Sequence, residues 1–326
     1  MTHDEAFLRA IREAPADDAP RLIYADWLEE HGRTDRAELI RLQCRIARLP
    51  RADEGRGVLA DRVKELLRRN WEEWVGPLRE IVGPRRDRHG EGWLCEEYHP
   101  DGLHRFHRGF VDRLTLEAER FLSFGEKLAS LVPLKDLNLW GAGRCARALA
   151  DFPHLANLES LSFMDYWDAP LNASDAQALA SSPHLGGLSK LRLPWNSLGD
   201  EGVKALVQAP WLASLTELEL AENGLSDRAA AFLTACPHLL HLTDLYLGRN
   251  SLGDAGMERL ARWPGLANVH TLDLVSNDIT DRGARVLTES PFATRLRRLL
   301  LDRNPISPAF LATLSRDQSG FLERRG

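Results

Sequence analysis

Leu188-Ser-Lys-Leu191-Arg-Leu193-Pro-Trp-Asn196 decides the fold, because the chain repeats it. Leu-x-x-Leu-x-Leu-x-x-Asn returns as Leu215, Leu218, Leu220, Asn223 and as Leu242, Leu245, Leu247, Asn250. Val269, Leu272, Leu274, Asn277 and Leu296, Leu299, Leu301, Asn304 follow, each copy 27 residues after the last. An apolar residue stands two positions after every Asn (Leu198, Leu225, Leu252, Ile279, Ile306), and a leucine ten positions after it (Leu206, Leu233, Leu260, Leu287, Leu314). Alternating leucines describe a short strand with one buried face, and the later leucines belong to a helix. A strand and a helix recurring at this period stack into a curved solenoid, each unit burying its apolar face against its neighbours.

Less regular copies reach toward the N-terminus. Leu158-Leu161-Phe163 begins 30 residues before Leu188, Leu134-Leu137-Leu139 begins 24 before that, and Val111-Leu114-Leu116 begins 23 earlier still. Eight strands result, the first three without the Asn, and the extra residues of the 158 copy fall in Met164–Leu171. The Asn is suited to satisfying backbone groups of adjoining turns, where no regular ladder exists. Ser226, Thr280 and Ser307, with Gly199 and Gly253, form an N-cap column. Asp200, Asp227, Asp254, Asp281 and Pro308 form the first-turn column beside it. The helices end near Pro210, Pro237, Pro264 and Pro291. Folding alone explains each of these positions, so none is assigned a functional role.

The first 84 residues are of another kind. Phe7, Leu8 and Ile11 predict a helix ending at Pro15; Asp17 or Asp18 starts a second, with Pro20 in its first turn and Leu22, Ile23 and Trp27 along it, stopping near Gly32. Leu39, Ile40, Leu42, Ile46 and Leu49 predict a third, and Leu59, Val63, Leu66, Leu67, Trp71 and Trp74 a fourth that stops at Gly76-Pro77. Apolar spacing of three and four residues makes these amphipathic helices. Residues 85–110 read as a polar loop and a short hairpin leading into the first repeat, and the tail after Leu314 is polar.

Composition narrows the function. At 28% charged and 44% hydrophobic residues the chain is an ordinary soluble one, and a formal net charge of −6 argues against nucleic acid or a membrane surface as partner. No apolar run approaches the roughly 20 residues that span a bilayer. The opening Met1-Thr-His-Asp-Glu has no basic segment before an apolar one, so no secretory signal is expected. Cys44, Cys95, Cys145 and Cys236 are scattered without a CxxC pair, which fits a reducing, cytoplasmic setting. No GxSxG, HExxH, P-loop or dinucleotide fingerprint is present; an enzyme is not expected, and no cofactor is implied.

The array at 111–314, about 60% of the chain, resembles the ribonuclease-inhibitor-type class of leucine-rich repeats, whose units of similar length put a helix on the convex side. The N-terminal part resembles a second family. Asp18-Ala-Pro-Arg-Leu-Ile-Tyr-Ala-Asp-Trp-Leu-Glu-Glu-His-Gly and then Arg36-Ala-Glu-Leu-Ile-Arg-Leu-Gln43 are similar to the bacterial repeat-companion domain, commonly found ahead of leucine-rich repeats. Phe106-His-Arg-Gly-Phe-Val-Asp112 looks like the lead-in strand of such proteins. The resemblance implies a bacterial, cytosolic protein with this architecture and brings no catalytic residue or ligand. Ubiquitin ligases with leucine-rich repeats add a large helical catalytic domain, whereas here about a dozen residues follow the array.

In each repeat the residues between the leucines point to the concave side, since side chains alternate along a strand. One column reads Thr115, Asn138, Ser162, Arg192, Glu219, Tyr246, Asp273, Leu300; the next reads Glu117, Trp140, Met164, Pro194, Ala221, Gly248, Val275, Asp302, with Trp195, Glu222 and Arg249 beside it. Trp140, Arg192, Trp195, Glu219, Tyr246, Arg249 and Asp273 are the candidate partner-binding residues, because exposed Trp, Tyr and Arg are what interface hot spots favour. Eight strands span about 34 Å, enough for an ordinary protein interface. His89, Cys95, His99, His104 and His107 offer zinc-type ligands, yet their spacing matches no standard finger, and solvated or aromatic-packed histidines are the expectation. The recurring Pro-His-Leu at 153–155, 183–185 and 237–239 shares its column with Trp211 and Gly265 and reads as packing at helix ends. Trp27 reads as core, with Asp26, Glu29 and Glu30 on a solvated or docking face; paired carboxylates without a cleft make no enzyme.

The expected protein is a cytoplasmic, monomeric scaffold in which a helical 1–84 domain and an 85–110 connector precede eight repeats at 111–314 and a 315–326 tail. Its concave face binds a protein or peptide partner. The alternative is a recruiting subunit whose N-terminal helices dock an enzyme while the repeats choose the target.

Overall fold

Leu191, Leu218, Leu245, Leu272 and Leu299 stand beside one another as direct partners on adjacent parallel strands, and each is buried. That column is the spine of the repeat array in the computed structural model, which describes residues 3–14, 17–50, 52–82, 106–164 and 169–317. The strands are short: β5 (Ser160–Phe163), β6 (Lys190–Arg192), β7 (Glu217–Glu219), β8 (Asp244–Tyr246), β9 (Thr271–Asp273) and β10 (Arg298–Leu300). With β3 (Arg113–Glu117) and β4 (Asp136–Trp140) they make one eight-stranded sheet ordered as in the sequence. After β4 and each later strand the chain returns through a helix: α6 (Ala146–Ala150), α7 (Ala173–Ala180), α8 (Gly199–Leu206), α9 (Asp227–Ala235), α10 (Asp254–Ala261) and α11 (Asp281–Thr288), then α12 (Pro308–Asp317). Their inner residues, Leu179, Leu206, Leu233, Leu260 and Leu287, are buried with the strand leucines. The fold is a leucine-rich-repeat solenoid preceded by an all-helical region.

Two polar ladders tie repeat to repeat. The Asn side chain reaches backbone groups on both sides: Asn250 Nδ2 donates to the carbonyls of Leu220, Leu247 and Gly248, and its Oδ1 accepts from the amides of Asn223 and Leu225. Asn196, Asn223, Asn277 and Asn304 do the same in their own turns. The Asp column does more than its first-turn position suggested. Asp200 accepts from the Ser226 amide and hydroxyl, Asp227 from the Gly253 and Gly256 amides, Asp254 from Thr280 and Gly283, and Asp281 from Ser307. Each Asp thus holds the cap of the next helix. Glycine permits the closest approach, since a Cβ at Gly256 would stand 2.6 Å from Asp227 Oδ1. Where Ala229 takes that position, Asp200 bonds Ser226 alone.

The residue before the Asn adopts the left-handed conformation in five successive repeats: Trp195, Glu222, Arg249, Ser276 and Arg303 all have φ of 56°. Non-glycine residues enter that region uncommonly, and none of the five is β-branched. The turn brings the following Asn onto the backbone groups it satisfies. Helix caps largely follow the sequence: Ser226 and Thr280 accept from the amides two residues on. Asn172, not anticipated, forms a full capping box with Asp175, whereas Gly199 opens its helix with φ of 57° and caps nothing.

By contact, the chain forms two compact units, Met1–Asn138 and Leu139–Gly326. The first holds α1 (His3–Glu13), α2 (Ala19–Glu30), α3 (Thr34–Arg48) and α4 (Gly55–Val82), the antiparallel pair β1 (Phe106–His107) and β2 (Phe110–Val111), then β3 and α5 (Ala118–Leu131). Helix α4 does not stop at Gly76-Pro77 as its sequence suggests: Val75, Leu78 and Ile81 continue its buried face, so packing carries it to Val82. Asp18 precedes α2 without capping it and instead accepts from Arg48 Nε at 2.7 Å, with Arg108 at 3.5 Å. Gln43 clamps the hairpin, its Nε2 donating to the Phe106 carbonyl and its Oε1 accepting from the Gly109 amide.

Candidate partner-binding face

Strand pairing arranges the outward side chains in rows. Lys190, Glu217, Asp244, Thr271 and Arg298 are register partners in one column, and Arg192, Glu219, Tyr246, Asp273 and Leu300 in the next. The alternation predicted the second column. The first was overlooked, although it lies two residues earlier on the same face of every strand.

Ion pairs link the two columns. Arg192 Nε donates to Glu217 at 2.6 Å and stands 3.9 Å from Glu219, while Lys190 Nζ lies 3.2 Å from Glu217. Asp273 Oδ1 accepts from the Val275 amide, so this candidate also serves its own turn. Tyr246 is half-buried, and burial first, then the Asp244 and Glu217 carboxylates, raise its pKa.

The left-handed turn places Trp195, Glu222 and Arg249 along a rim. Trp195 Nε1 donates to Glu222 at 2.8 Å, and Arg249 stands 3.4 Å from the same oxygen. Trp195 and Met164 are exposed for residues of their size, 38% and 39%, and Trp140 is half-buried at the end of β4. The column that follows holds small or apolar residues, with Pro194 and Gly248 buried and Ala221 and Val275 half-buried. Ser162 and Leu300, which alternation places outward, are buried, so the longest uninterrupted accessible stretch of the Arg192 column runs from Arg192 to Asp273.

Other candidates contribute little chemistry. His89, Cys95, His99 and His104 lie outside the described residues; His107 is exposed, with Nδ1 3.2 Å from the Asp112 carboxylate. Among the described residues no three His, Cys, Asp or Glu side chains gather as metal ligands, and no helix there is long and apolar enough to cross a membrane. Pro153, Pro210 and Pro264 open short 3-10 turns whose Leu155, Leu212 and Leu266 are buried, which is packing. Trp27 packs on Phe7, Tyr24 and His31, while Asp26 and Glu29 both accept from Arg41.

Comparison with known proteins agrees on the repeats. The family described as "Leucine Rich repeat" matches residues 188–207, 238–261 and 265–287. No curated protein matches the chain by sequence. Solved structures similar to it include an internalin of Listeria monocytogenes (18% identity, TM-score 0.34, covering 61% of this chain and 63% of that one). Internalin C2 of the same species is another (19%, 0.36, 63% and 77%). A leucine-rich-repeat protein of Leptospira interrogans is a third (19%, 0.31, 61% and 51%). The chain thus spans less than two thirds of the first of these structures.

Proposed function

We propose that this protein is a non-catalytic interaction scaffold whose repeats bind a protein or peptide partner on the concave strand face. The observation carrying this reading is the row from Arg192 to Asp273. Four strands in register hold Trp195, Tyr246 and mixed charges at fixed spacing, while the leucine, Asn and Asp columns do the folding. Rigid aromatics among charges suit recognition, because they lose little side-chain entropy on docking.

In this reading the repeats are of the ribonuclease-inhibitor type, 1–84 is a repeat-companion domain, 85–110 a connector and 111–314 the array. The protein works as a monomer in a bacterial cytoplasm. The scattered cysteines support a reducing setting; Cys44, Cys145 and Cys236 are free thiols. Partners captured from native cells should be lost on Trp195→Ala or Tyr246→Ala. Either change is expected to weaken binding by about 2 kcal/mol or more, with melting temperature within about 2 °C of wild type. Wild-type affinity in both variants refutes the concave-face assignment.

A further inference from the structure

The ladder asparagines are followed by Ser197, Gly224, Ser251, Asp278 and Pro305. An asparagine before a small residue is open to one reaction, attack of the next backbone nitrogen on the side-chain amide carbon. Glycine favours it most, since no side chain hinders the approach. At most steps the ladder occupies that nitrogen. The Ser197 amide donates to the Leu171 carbonyl at 2.8 Å, Ser251 to Leu225 at 2.8 Å and Asp278 to Leu252 at 2.9 Å, and Pro305 has no N–H. Gly224 breaks the series. Its acceptor by position is the Leu198 carbonyl, which takes the Gly202 amide instead, while Gly199, with φ of 57°, donates its amide to the Asn223 carbonyl. Among the described residues the Gly224 N–H has no acceptor, and Gly224 is exposed. Protection therefore falls to the Asn223 side chain, in a residue 2% exposed. Its Nδ2 donates to the Leu193 and Ala221 carbonyls at 2.7 and 3.0 Å, and its Oδ1 accepts from the Leu198 amide at 3.4 Å.

We propose that Asn223-Gly224 is a deamidation site gated by opening of its own turn. In the closed turn two carbonyls hold the Asn223 amide. In the open turn the Gly224 nitrogen forms a bond to Asn223 Cγ, the Cγ–Nδ2 bond breaks, and the Gly224 proton completes the ammonia that leaves. Water then opens the cyclic imide at either carbonyl, giving aspartate or isoaspartate. The product cannot rejoin the ladder, because a carboxylate has no proton to give the Leu193 and Ala221 carbonyls. The altered turn carries Glu222, the acceptor of Trp195 Nε1, so each chain that opens here is changed irreversibly at the rim. The gate is shared with the next repeat, since Asn250 Oδ1 accepts from the Asn223 and Leu225 amides on either side of Gly224.

The test incubates the full chain in mildly alkaline buffer, folded or unfolded in urea, and follows the amide-to-acid mass change in tryptic peptides. Residues 193–204 and 205–228 emerge as separate peptides with one asparagine each, Asn196 and Asn223. In urea, conversion at Asn223 should outpace that at Asn196 by about fivefold or more, and Gly224→Ala should remove the excess. In buffer, conversion at Asn223 should slow by about tenfold or more, the factor set by the free energy of opening. Asn250→Ala, or urea just below the unfolding transition, should then speed it about threefold or more while circular dichroism stays native. Equal conversion of the two peptides in urea overturns the site. Equal conversion of Asn223 in buffer and in urea, or no acceleration by either loosening treatment, overturns the gate.

Discussion

The helices of Met1–Asn138 and the repeats of Leu139–Gly326 bury polar groups in opposite ways. In the repeats one solution is used again and again: an Asn for the strand turn, an Asp for the next helix cap, both aimed at backbone. In the helical unit every solution is used once. Arg36 lies against Trp74, Phe106 and Phe110, its guanidinium 4.9, 5.4 and 5.6 Å from the ring centres, and burial lowers its pKa to about 10. Asp18 bonds Arg48 and faces Arg108 beside Cys44, whose thiol burial, then Asp18, pushes up to about 12. Repetition makes a surface whose side chains are spaced by strand pairing and open to change. Unique contacts make a body in which a change at one position disturbs its own particular neighbours, whereas the repeats can vary their outward residues without touching the leucine, Asn and Asp columns.

The sharpest way to break this comparison is through the cores. Leu245→Ala should cost about 2–5 kcal/mol, since a fully packed leucine leaves a cavity. Leu218→Ala and Leu272→Ala should cost nearly the same in urea titrations, because their surroundings repeat. Widely different midpoints among the three would mean that the repeats are not equivalent. In the helical unit Gly109 has no equivalent. Its φ is 89°, and a Cβ there would come within 2.9 Å of the Ile40 backbone. Gly109→Ala should cost about 2–4 kcal/mol through strain and overlap; a neutral substitution would show that the hairpin is not locked onto α3.

Asn250→Ala should come next, at about 1–3 kcal/mol, because it orphans backbone groups of its own and the preceding turn. Hydrogen exchange should quicken at the Asn223 and Leu225 amides, the two it serves. Unchanged protection there would remove Asn250 from the ladder.

How much of this could be read in the sequence follows the same division. A buried leucine column needs only its own period, so the strands, their number and their order were legible. The role of Asp227 was not, because it depends on a glycine 29 residues away in the next unit. Gly256 and Gly283, at one position of successive helices, were the signal. The outward column of Lys190, Glu217 and Asp244 was equally visible by alternation, yet the Leu-x-x-Leu frame drew attention past it. Ser162 and Leu300 show the limit of alternation, since both face outward by period and are nonetheless buried. In the helical unit, apolar spacing found four helices but ended the last too early, because burial of Leu78 and Ile81 outweighs a Gly-Pro pair.

The smallest expected effect tests the Asp ladder through pH. Burial pushes the pKa of Asp254 up, but bonds from the Thr280 amide and hydroxyl and the Gly283 amide, with Arg282 nearby, leave it below the ordinary value. Asp281 is lowered by the Ser307 hydroxyl and then its amide. A carboxyl whose folded pKa lies below its unfolded value near 4 stabilises the fold fully above that pH, and the contribution fades as pH falls through the folded value. The melting temperature of the chain should therefore be level above about pH 5 and decline below about pH 4. Asp254→Asn keeps an acceptor while losing the charge, so it should melt a few degrees lower than wild type near neutrality. That gap should narrow at an acidic pH, as wild-type Asp254 itself takes up a proton on passing below its lowered folded value. A gap equally wide at both pH values would mean that the ladder works through shape and hydrogen bonding, with the charge contributing nothing.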